Sequence, residues 1–431
     1  MPSLYGDSGM DCRRGRLHRR HDRARVMVVL GTRPEAVKLA PVLRALQADR
    51  ELDVTVVVTA QHRAMLDQML DLFGIAPDVD LDVIQSRQPL SQLTARSLAK
   101  LDAVVEEMGP DAVLVQGDTT STLVGALCAF YHRIPVVHLE AGLRTGNRLS
   151  PFPEEVNRRL VTRLTDLHLA ATAPAKLRLM SEGVLEEDIA VTGNTVVDAL
   201  LWALEQPSPR LPPPLADLEG SGNAESPTIL VTAHRRESWG ADLVCVGQAV
   251  RDIASARPDV VVVLPLHLNP VVRAAILPQV AGIDNIRVVD PLGYLEFVHI
   301  LRRAQLVLTD SGGVQEEAPT VGTPVLVMRN STERLEAVLA GSARLVGTDR
   351  RVIVETVLGL LRDRFQRDAM APGTNPFGDG FAAPRVVQAL RHLLLGDHRP
   401  SDFHPPDLPT GLLATGHGEP SGSALDAVGA C

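Results

Sequence analysis

The sequence predicts an α/β protein with two doubly wound domains that face each other across a cleft. Short apolar runs of branched residues alternate with segments of helical periodicity, which indicates parallel sheets covered by helices on both faces. A segment rich in Pro, Gly and Ser, residues 206–227, interrupts this alternation, which then restarts. The chain of 431 residues is also long enough for two or three domains with large buried cores.

The composition excludes several classes of protein. Hydrophobic residues make up 45% and aromatic residues 3% of the chain, which favours a core of Val, Leu and Ala. The net charge of −9 argues against general nucleic-acid binding. No apolar run approaches the roughly 20 residues that a membrane span needs. The four cysteines, Cys12, Cys128, Cys245 and Cys431, form no C-x-x-C pair, so we expect core thiols in a cytoplasmic protein.

Both ends of the chain are predicted to lie outside the folded domains. Residues 11–25 are rich in Arg and His with no apolar segment behind them, so we expect residues 1–25 to form a disordered basic extension. A basic arm for an anionic partner is the alternative. Residues 397–431 are rich in Pro, Gly and Ser, which predicts a disordered tail. The N-terminal domain is then expected over 26–193 and the C-terminal domain over 194–375.

The predicted strands are short, continuous apolar runs, as expected for strands buried on both faces. In the first half they are Val26–Leu30, Val54–Thr59, Ala112–Val115, Pro135–Leu139, Leu167–Ala171 and Ile189–Thr192. In the second half they are Thr228–Thr232, Val260–Leu264, Ile286–Val289, Leu306–Thr309 and Pro324–Met328. Helical segments lie between them. The first is predicted to begin at Pro34, since proline suits the first turn of a helix.

Polar residues follow these strands at their carboxyl ends, which is where open α/β sheets bind ligands. In the first half the ends carry Arg33, residues 60–62, Asp118 and Glu140. In the second half they carry residues 233–237, 267–269, 291–293, 310–312 and 329–334. Two such edges facing each other would enclose a ligand site between the domains.

A glycine turn in the second half predicts a phosphate site. The stretch T-D-S-G-G-V-Q-E-E-A-P begins at Thr309, after a buried strand, and Ser311, Gly312 and Gly313 turn the chain into a helix start. Free backbone N–H groups and the helix dipole favour phosphate at such a turn. Glu316 and Glu317, in the first turn of that helix, could then accept hydrogen bonds from ribose hydroxyls. A tight strand-to-helix connection, with acidic residues that complement the dipole, remains the structural alternative.

Cations near the same edge suit a diphosphate. They are His234, Arg236, Arg329 and Arg334. Phe297 could stack on a flat base, and the alternative is a core aromatic on an amphipathic helix.

The edge of the first half combines the cations Arg33 and Lys38 with acids. These acids are Asp118, Glu140, Glu154 and Glu155. Carboxylates in a partly closed site can have raised pKa values and exchange protons with a substrate. Asp118 could instead cap the helix that follows it. The first strand is followed by no G-x-G-x-x-G, and no Walker sequence or metal-ligand spacing is found, so neither NAD nor a metal is predicted.

Taken together, these motifs closely resemble those of the bacterial non-hydrolysing UDP-N-acetylglucosamine 2-epimerases. The resemblance is collinear over about residues 26–395. It is carried by G-T-R-P-E-A-V-K from Gly31, A-Q-H-R from Ala60, Q-G-D-T-T-S-T from Gln116, H-L-E-A-G-L-R-T-G from His138, S-P-F-P-E-E-V-N-R from Ser150, T-G-N-T-V-V-D-A-L from Thr192, T-A-H-R-R-E-S from Thr232, D-S-G-G-V-Q-E-E-A-P from Asp310 and T-E-R-L-E-A from Thr332.

This resemblance implies a glycosyltransferase-B-like fold of two Rossmann-like domains, in which a last helix, about residues 384–395, crosses back to the first. It implies a homodimer that converts UDP-N-acetylglucosamine (UDP-GlcNAc) reversibly into UDP-N-acetylmannosamine (UDP-ManNAc) without a cofactor. The family reaction is an anti elimination of UDP to a 2-acetamidoglucal, followed by readdition. Cell-surface polysaccharide synthesis is the expected use of the product. Leu335 departs from the family, which usually has proline there.

Site roles carried over from the family complete the prediction. Proton transfer falls to Asp118, Glu140 and Glu154. The diphosphate and leaving group would be bound by Arg33, Lys38, His234 and the amides of Ser311 and Gly312. Glu317 would hold the ribose, Phe297 the base side and Arg334 the nucleotide.

Some family members also bind a second UDP-GlcNAc as an activator, which Gln61, His62 and Arg63 would approach. The alternatives are an acceptor-dependent glycosyltransferase, a hydrolysing epimerase and a non-catalytic sugar-nucleotide sensor. The first-domain acids argue against a transferase and a sensor, because neither needs them.

Overall fold

The computed structural model describes residues 23–59, 63–84, 88–219, 226–371 and 373–405, with only the backbone of residues 63–65. The strands form two parallel sheets with helices between successive strands, which confirms the predicted fold class. Among the described residues, no helix has the length and hydropathy that crossing a membrane requires.

The first sheet has seven strands in the order β3-β2-β1-β4-β5-β6-β7. These strands are β1 Ala24–Leu30, β2 Leu52–Val58, β3 Val79–Asp80, β4 Ala112–Gln116, β5 Val136–Ala141, β6 Leu167–Ala170 and β7 Ile189–Val191. The order reverses between β1 and β4, so a crevice opens at their carboxyl ends. The short strand β3 was missed by the sequence analysis, because two residues carry no readable pattern.

The second sheet has six strands in the order β10-β9-β8-β11-β12-β13. These strands are β8 Thr228–Thr232, β9 Val261–Pro265, β10 Ile286–Val289, β11 Leu306–Thr309, β12 Val325–Val327 and β13 Ala343–Leu345. Its order reverses between β8 and β11, which places the glycine turn after β11 at the second crevice. The strand β13, with three residues, was also missed by the sequence analysis.

Helices cover both sheets. In the first half they are α1 Arg33–Ala48, α2 Arg63–Phe73, α3 Leu90–Met108, α4 Thr120–Tyr131, α5 Glu154–Leu164, α6 Ala173–Ser181 and α7 Thr195–Leu204. In the second half they are α8 Ala241–Ala256, α9 Pro270–Val280, α10 Tyr294–Arg303, α11 Gly312–Glu317, α12 Leu335–Leu339, α13 Arg350–Arg362, α14 Arg364–Asp368 and α15 Ala382–Leu395. The strands between these layers are almost entirely buried, as their apolar sequences require.

Two helices join the halves. Helix α7 packs against α1 on one side and α10 on the other, and α15 returns to pack against α1 and α7. The carboxylate of Asp198 on α7 accepts hydrogen bonds from the backbone N–H groups of Ala382 (3.3 Å) and Ala383 (2.8 Å) at the start of α15. Burial raises the pKa of Asp198 to about 6. These contacts hold the last helix on the first half of the chain.

The structure corrects the predicted limits of both extensions. Strand β1 begins at Ala24, and the Asp111 carboxylate accepts a hydrogen bond from the backbone N–H of Arg25 at 2.7 Å. Residues 397–405 are not a free tail, because Phe403 is only 2% exposed and its N–H donates to the Val191 carbonyl at 2.7 Å. Asp402 also accepts a hydrogen bond from the Val191 N–H at 2.9 Å. The predictions for residues 1–22 and 406–431 lie outside the described residues.

Candidate active site

Glu140 occupies a bulge at the end of β5. The register between β5 and β6 shifts between Leu139 and Ala141, and Glu140 has a φ of 64°. A non-glycine residue in this left-handed region is strained by roughly 1–3 kcal/mol, and such strain concentrates at functional sites. The bulge turns the carboxylate out of the sheet and into the crevice between the halves.

Cations and amides surround the Glu140 carboxylate. Lys38 and Gln116 donate hydrogen bonds to it, and the Asn194 side-chain amide lies 3.5 Å away. A guanidinium nitrogen of Arg334, from the second half of the chain, is 4.0 Å from Oε1. Burial raises the pKa of Glu140, whereas Lys38 and Arg334 oppose that increase. A buried carboxyl with a raised pKa is a candidate proton-transfer group.

Glu316 links the two halves through ion pairs. Its carboxylate lies 3.2 Å from Lys38 Nζ of the first half and accepts a hydrogen bond from Arg334 Nε at 2.9 Å. Burial alone would lower the pKa of Lys38, but Glu140 and Glu316 leave it above its usual value. Sequence reasoning gave Glu316, like Glu317, a role as an acceptor for ribose hydroxyls, but it did not find these ion pairs, because the Lys38 partner comes from elsewhere in the chain.

Asp118 is held by α5. Arg158 on that helix approaches Asp118 Oδ2 with Nε at 2.8 Å and Nη2 at 2.7 Å. The side-chain amide of Asn157 donates to the Asp118 carbonyl at 2.9 Å. The residue that caps α4 is Thr119, whose hydroxyl accepts from the Thr122 N–H, so the alternative role of Asp118 as a cap is wrong. Asp118 is therefore held by Arg158 and not by α4, and its contact with a ligand stays a prediction.

The two adjacent glutamates at the start of α5 have different surroundings. Glu154 is half-buried, and burial raises its pKa, with a further increase from the charge of Asp118 nearby. Glu155 is fully buried, and its carboxylate accepts hydrogen bonds from the Thr145 N–H and from Arg159, both at 2.9 Å. Glu155 therefore has a structural role, whereas Glu154 joins Asp118 at the crevice.

Asp310 organises the turn that carries His234. Its Oδ2 atom accepts hydrogen bonds from the backbone N–H groups of His234 (2.7 Å) and Arg235 (2.8 Å). The His234 ring lies 3.3 Å from Asp310 Oδ1 and stacks on His267, with ring centroids 5.8 Å apart. Asp310 was missed as a site residue, although its position directly after β11 was the available signal.

The glycine turn differs in one detail from the prediction. The Ser311 N–H already donates to the Thr309 hydroxyl at 2.9 Å, and the use of this amide for phosphate stays a prediction. The Arg334 guanidinium lies against Gly312. A Cβ atom added to Gly312 would lie 2.7 Å from Arg334 Cζ, whereas one added to Gly313 would meet no atom nearer than 3.9 Å.

This close approach predicts different effects for two adjacent substitutions. We expect Gly312→Ala to displace Arg334 and to weaken UDP binding about ten-fold, since overpacking costs roughly 1–3 kcal/mol. Gly313→Ala is the matched control and should bind UDP normally, because its methyl group has room and alanine favours a helix. Isothermal titration calorimetry with UDP measures both affinities. Equal affinities in the two variants would contradict the role given to the Gly312–Arg334 contact.

The sequence suggested that Arg329 and Arg334 present an open cationic surface. In the structure they do not. Arg329 lies 2.9 Å from Glu333 Oε2 and 2.7 Å from Glu237 Oε1, and Arg334 also bonds Glu333. Although burial alone would raise the pKa of Glu333, the two arginines hold it well below its usual range. Arg329 thus positions Glu333, and Arg236 is exposed on the surface.

Tyr294 and Arg33 surround Glu317. The buried Tyr294 hydroxyl donates to Glu317 Oε1 at 3.1 Å, and Arg33 donates across the crevice to the Leu292 carbonyl at 3.3 Å. Burial raises the pKa of Glu317 to about 7, whereas the Tyr294 hydrogen bond opposes that increase. The Tyr294 ring packs against Phe73 of the first half, with centroids 6.0 Å apart. Sequence reasoning missed Tyr294.

For four predicted residues the structure adds little to the prediction. Phe297 is half-buried and packs against the main hydrophobic core, so its contact with a base stays a prediction. Gln61 and His62 lie outside the described residues. Arg63 begins α2, and only its backbone is described.

Comparisons with known proteins agree with this geometry. The family model described as UDP-N-acetylglucosamine 2-epimerase matches residues 44–391. The UDP-N-acetylglucosamine 2-epimerase of Escherichia coli strain K12 is 49% identical over 370 residues, which cover 85% of this chain and 98% of that protein.

Two similar solved structures contain nucleotides. The UDP-GlcNAc 2-epimerase from Neisseria meningitidis, bound to UDP-GlcNAc, has a TM-score of 0.80 and 43% identity, with 85% of this chain and 99% of that chain covered. The enzyme from Methanocaldococcus jannaschii, in complex with UDP-GlcNAc and UDP, has a TM-score of 0.73 and 31% identity, with the same coverage of 85% and 99%. The chain therefore belongs to the UDP-N-acetylglucosamine 2-epimerase family.

Proposed function

We propose that this chain is an isomerase that interconverts UDP-GlcNAc and UDP-ManNAc by anti elimination of UDP and readdition. The observation that carries the proposal is the position of Glu140. The backbone of Glu140 is strained, and its buried carboxylate lies between Lys38 of the first half and Arg334 of the second, in the crevice between the sheets.

The chemistry explains why such a site needs acids and cations together. The proton on C2 of the sugar is weakly acidic because no carbonyl is adjacent to C2. Its removal must accompany cleavage of the C1–O bond, whose electrons leave with the UDP oxygen. In the return step the UDP oxygen re-forms the bond to C1 and a proton is delivered to the opposite face of C2, so no atom is lost. Carboxyl groups must therefore remove and return the proton at C2, and cations must stabilise the leaving diphosphate.

The residues divide into these two tasks. Glu140, Asp118 and Glu154 are the proposed proton-transfer groups. Acids at more than one position allow a proton to leave one face of C2 and return to the other. Lys38, Arg33 and His234 would neutralise the departing diphosphate, together with the glycine turn of Ser311, Gly312 and Gly313.

The nucleotide would be held in the second half of the chain. We assign the ribose hydroxyls to Glu317, because a buried carboxylate beside Arg33 can accept two hydrogen bonds. Arg334 would bind the nucleotide and Phe297 would contact the base.

The raised pKa of Glu317 predicts a pH dependence of UDP binding. Glu317 accepts ribose hydrogen bonds best when ionised, so affinity should fall as pH decreases through about 7. Because the Tyr294 hydroxyl stabilises the carboxylate, Tyr294→Phe should raise the pKa of Glu317 further. The acidic limb of the affinity profile should then move to higher pH, while the ring keeps its packing on Phe73. An unchanged profile in Tyr294→Phe, measured by UDP titration between pH 5.5 and 8.5, would show that Tyr294 does not control Glu317.

Proton NMR after incubation with UDP-GlcNAc in deuterated water, without added NAD, tests the proposed reaction. UDP-ManNAc with deuterium at C2 is the expected product, because elimination exchanges the C2 proton with solvent. Free ManNAc plus UDP would indicate a hydrolysing enzyme. An unchanged substrate in the presence of a folded, UDP-binding protein would favour a glycosyltransferase or a sugar-nucleotide sensor and would reject the proposal.

We also propose that UDP-GlcNAc activates the enzyme at a second position beside the active site, near Gln61, His62 and Arg63. The rate with UDP-ManNAc as substrate, measured with and without trace UDP-GlcNAc, tests this proposal. Activation requires a rate increase from the trace ligand, and identical hyperbolic curves would reject it.

The remaining proposals concern organisation. They are a cytoplasmic homodimer, a boundary between the two domains at 193/194, and a product destined for cell-surface polysaccharide. Light scattering of the purified chain tests the dimer, for which a monomeric mass is the opposing result.

A further inference from the structure

Three side chains of metal-ligand type meet at the end of α4, away from the candidate active site. Cys128 and His132 are four residues apart at the end of this helix, so they share one face. Asp102 reaches the same place from the neighbouring helix α3. One ligand atom of each side chain lies within 4.8 Å of those of the other two. The closest pair is His132 Nε2 and Asp102 Oδ1, at 2.7 Å.

The ligand types identify the metal. Thiolate, imidazole and carboxylate together suit Zn²⁺, whereas Mg²⁺ and Ca²⁺ prefer oxygen ligands alone. Tetrahedral zinc bonds of about 2.0–2.3 Å place ligand atoms roughly 3.2–3.7 Å apart. The His132–Asp102 contact of 2.7 Å is shorter than this and would have to open slightly, whereas all three ligand atoms already lie within 4.8 Å of one another.

Burial also fits a site that is open on one side. Cys128 is buried, His132 is half-buried and Asp102 is exposed. A metal bound between them would have the protein on its sulfur side and solvent on the other, where water could supply the fourth ligand. Burial and the Asp102 charge raise the pKa of the Cys128 thiol to about 12, so this cysteine is not a reactive nucleophile without a metal.

We propose that Cys128, His132 and Asp102 form a zinc site that clamps α3 to α4. The sequence spacing alone does not reveal this site, because only two of its ligands are close in sequence. The site is independent of the proposed epimerase reaction. Asp118 precedes the start of α4, and the 12 residues of this helix separate the two sites by about 18 Å.

Titration of the tag-free full-length protein with Co²⁺ tests the proposal. One equivalent should produce the near-ultraviolet charge-transfer absorption of a cobalt–thiolate bond, and Zn²⁺ should displace it. Zn²⁺ should also raise the melting temperature by about 5 °C at a concentration 100 times the dissociation constant. Cys128→Ala should abolish the absorption, whereas Cys245→Ala, which alters another buried cysteine, should retain it.

Two further variants test the other ligands without changing the cysteine. Asp102→Asn and His132→Gln should each weaken Zn²⁺ binding at least about ten-fold. No thiolate absorption at saturating Co²⁺, or absorption that persists in Cys128→Ala, would overturn the site. Epimerisation by Cys128→Ala should remain at the wild-type rate, so loss of the metal site and failure of the proposed reaction give separate results.

Discussion

Glu140→Gln is expected to lower kcat for UDP-GlcNAc epimerisation about 1,000-fold, which lies within the usual range for loss of a general acid or base. The substitution keeps the size and hydrogen-bonding shape of the side chain but removes its ability to exchange a proton. UDP contacts other residues in the proposed complex, so its affinity should change by less than about three-fold. Steady-state kinetics and calorimetric titration with UDP measure the two quantities separately.

Glu336→Gln is the matched control for this prediction. Glu336 is also buried, and it accepts a hydrogen bond from Thr172 across the two halves at 2.7 Å, yet it has no proposed part in the reaction. Its kcat should stay close to that of the wild type. Asp118→Asn should resemble Glu140→Gln, because both carboxylates are assigned to proton transfer. Near-normal turnover in both Asp118→Asn and Glu140→Gln would reject the assignment of the acids.

Lys38→Met is expected to damage both catalysis and stability. The variant leaves the buried carboxylates of Glu140 and Glu316 with Arg334 as their remaining described cation, and breaking a buried ion pair costs about 3–5 kcal/mol. We expect the melting temperature to fall by roughly 5 °C or more. Loss of the cation beside the leaving group should also lower kcat/KM at least about 100-fold.

A second variant separates these two effects. In Lys38→Met/Glu316→Gln one of the two negative charges that repel each other beside Arg334 is removed, so the melting temperature should recover while kcat/KM stays low. The surface control is Arg351→Met, which breaks an exposed pair with Glu355 and should change stability by less than about 1 kcal/mol. A double variant no more stable than Lys38→Met would contradict the charge-repulsion explanation.

The sequence was most informative where function depends on the ends of strands. The strands β4, β5, β8 and β11 were readable as continuous apolar runs, and the residues after them were therefore expected at one edge of each sheet. The structure places Asp118 and Glu140 there in the first half, with His234 and the glycine turn in the second. This success follows from topology, because parallel strands bring their carboxyl ends together.

Features that depend on three-dimensional packing could not be predicted. The bulge at Glu140 leaves no signal in the apolar run that precedes it. Glu316 pairs with Lys38 on α1, about 280 positions away in the sequence, and also with Arg334. Arg329 was expected to face a ligand, but it pairs with Glu333, four residues later in the loop before α12. In each case the charge was visible in the sequence, whereas the identity of its partner was not.

The segment around Phe403 has a practical consequence for shortened versions of the protein. Strand β7 is the last strand of the first sheet. On its outer side, the Val191 N–H donates to Asp402 and the Val191 carbonyl accepts from the Phe403 N–H. Ending the chain at Gly396, where the last helix stops, would uncover this edge and the apolar surface beneath Phe403. Uncovered edges recruit strands from other molecules, so such a protein is expected to aggregate during concentration. A version that ends after residue 405 keeps the protection.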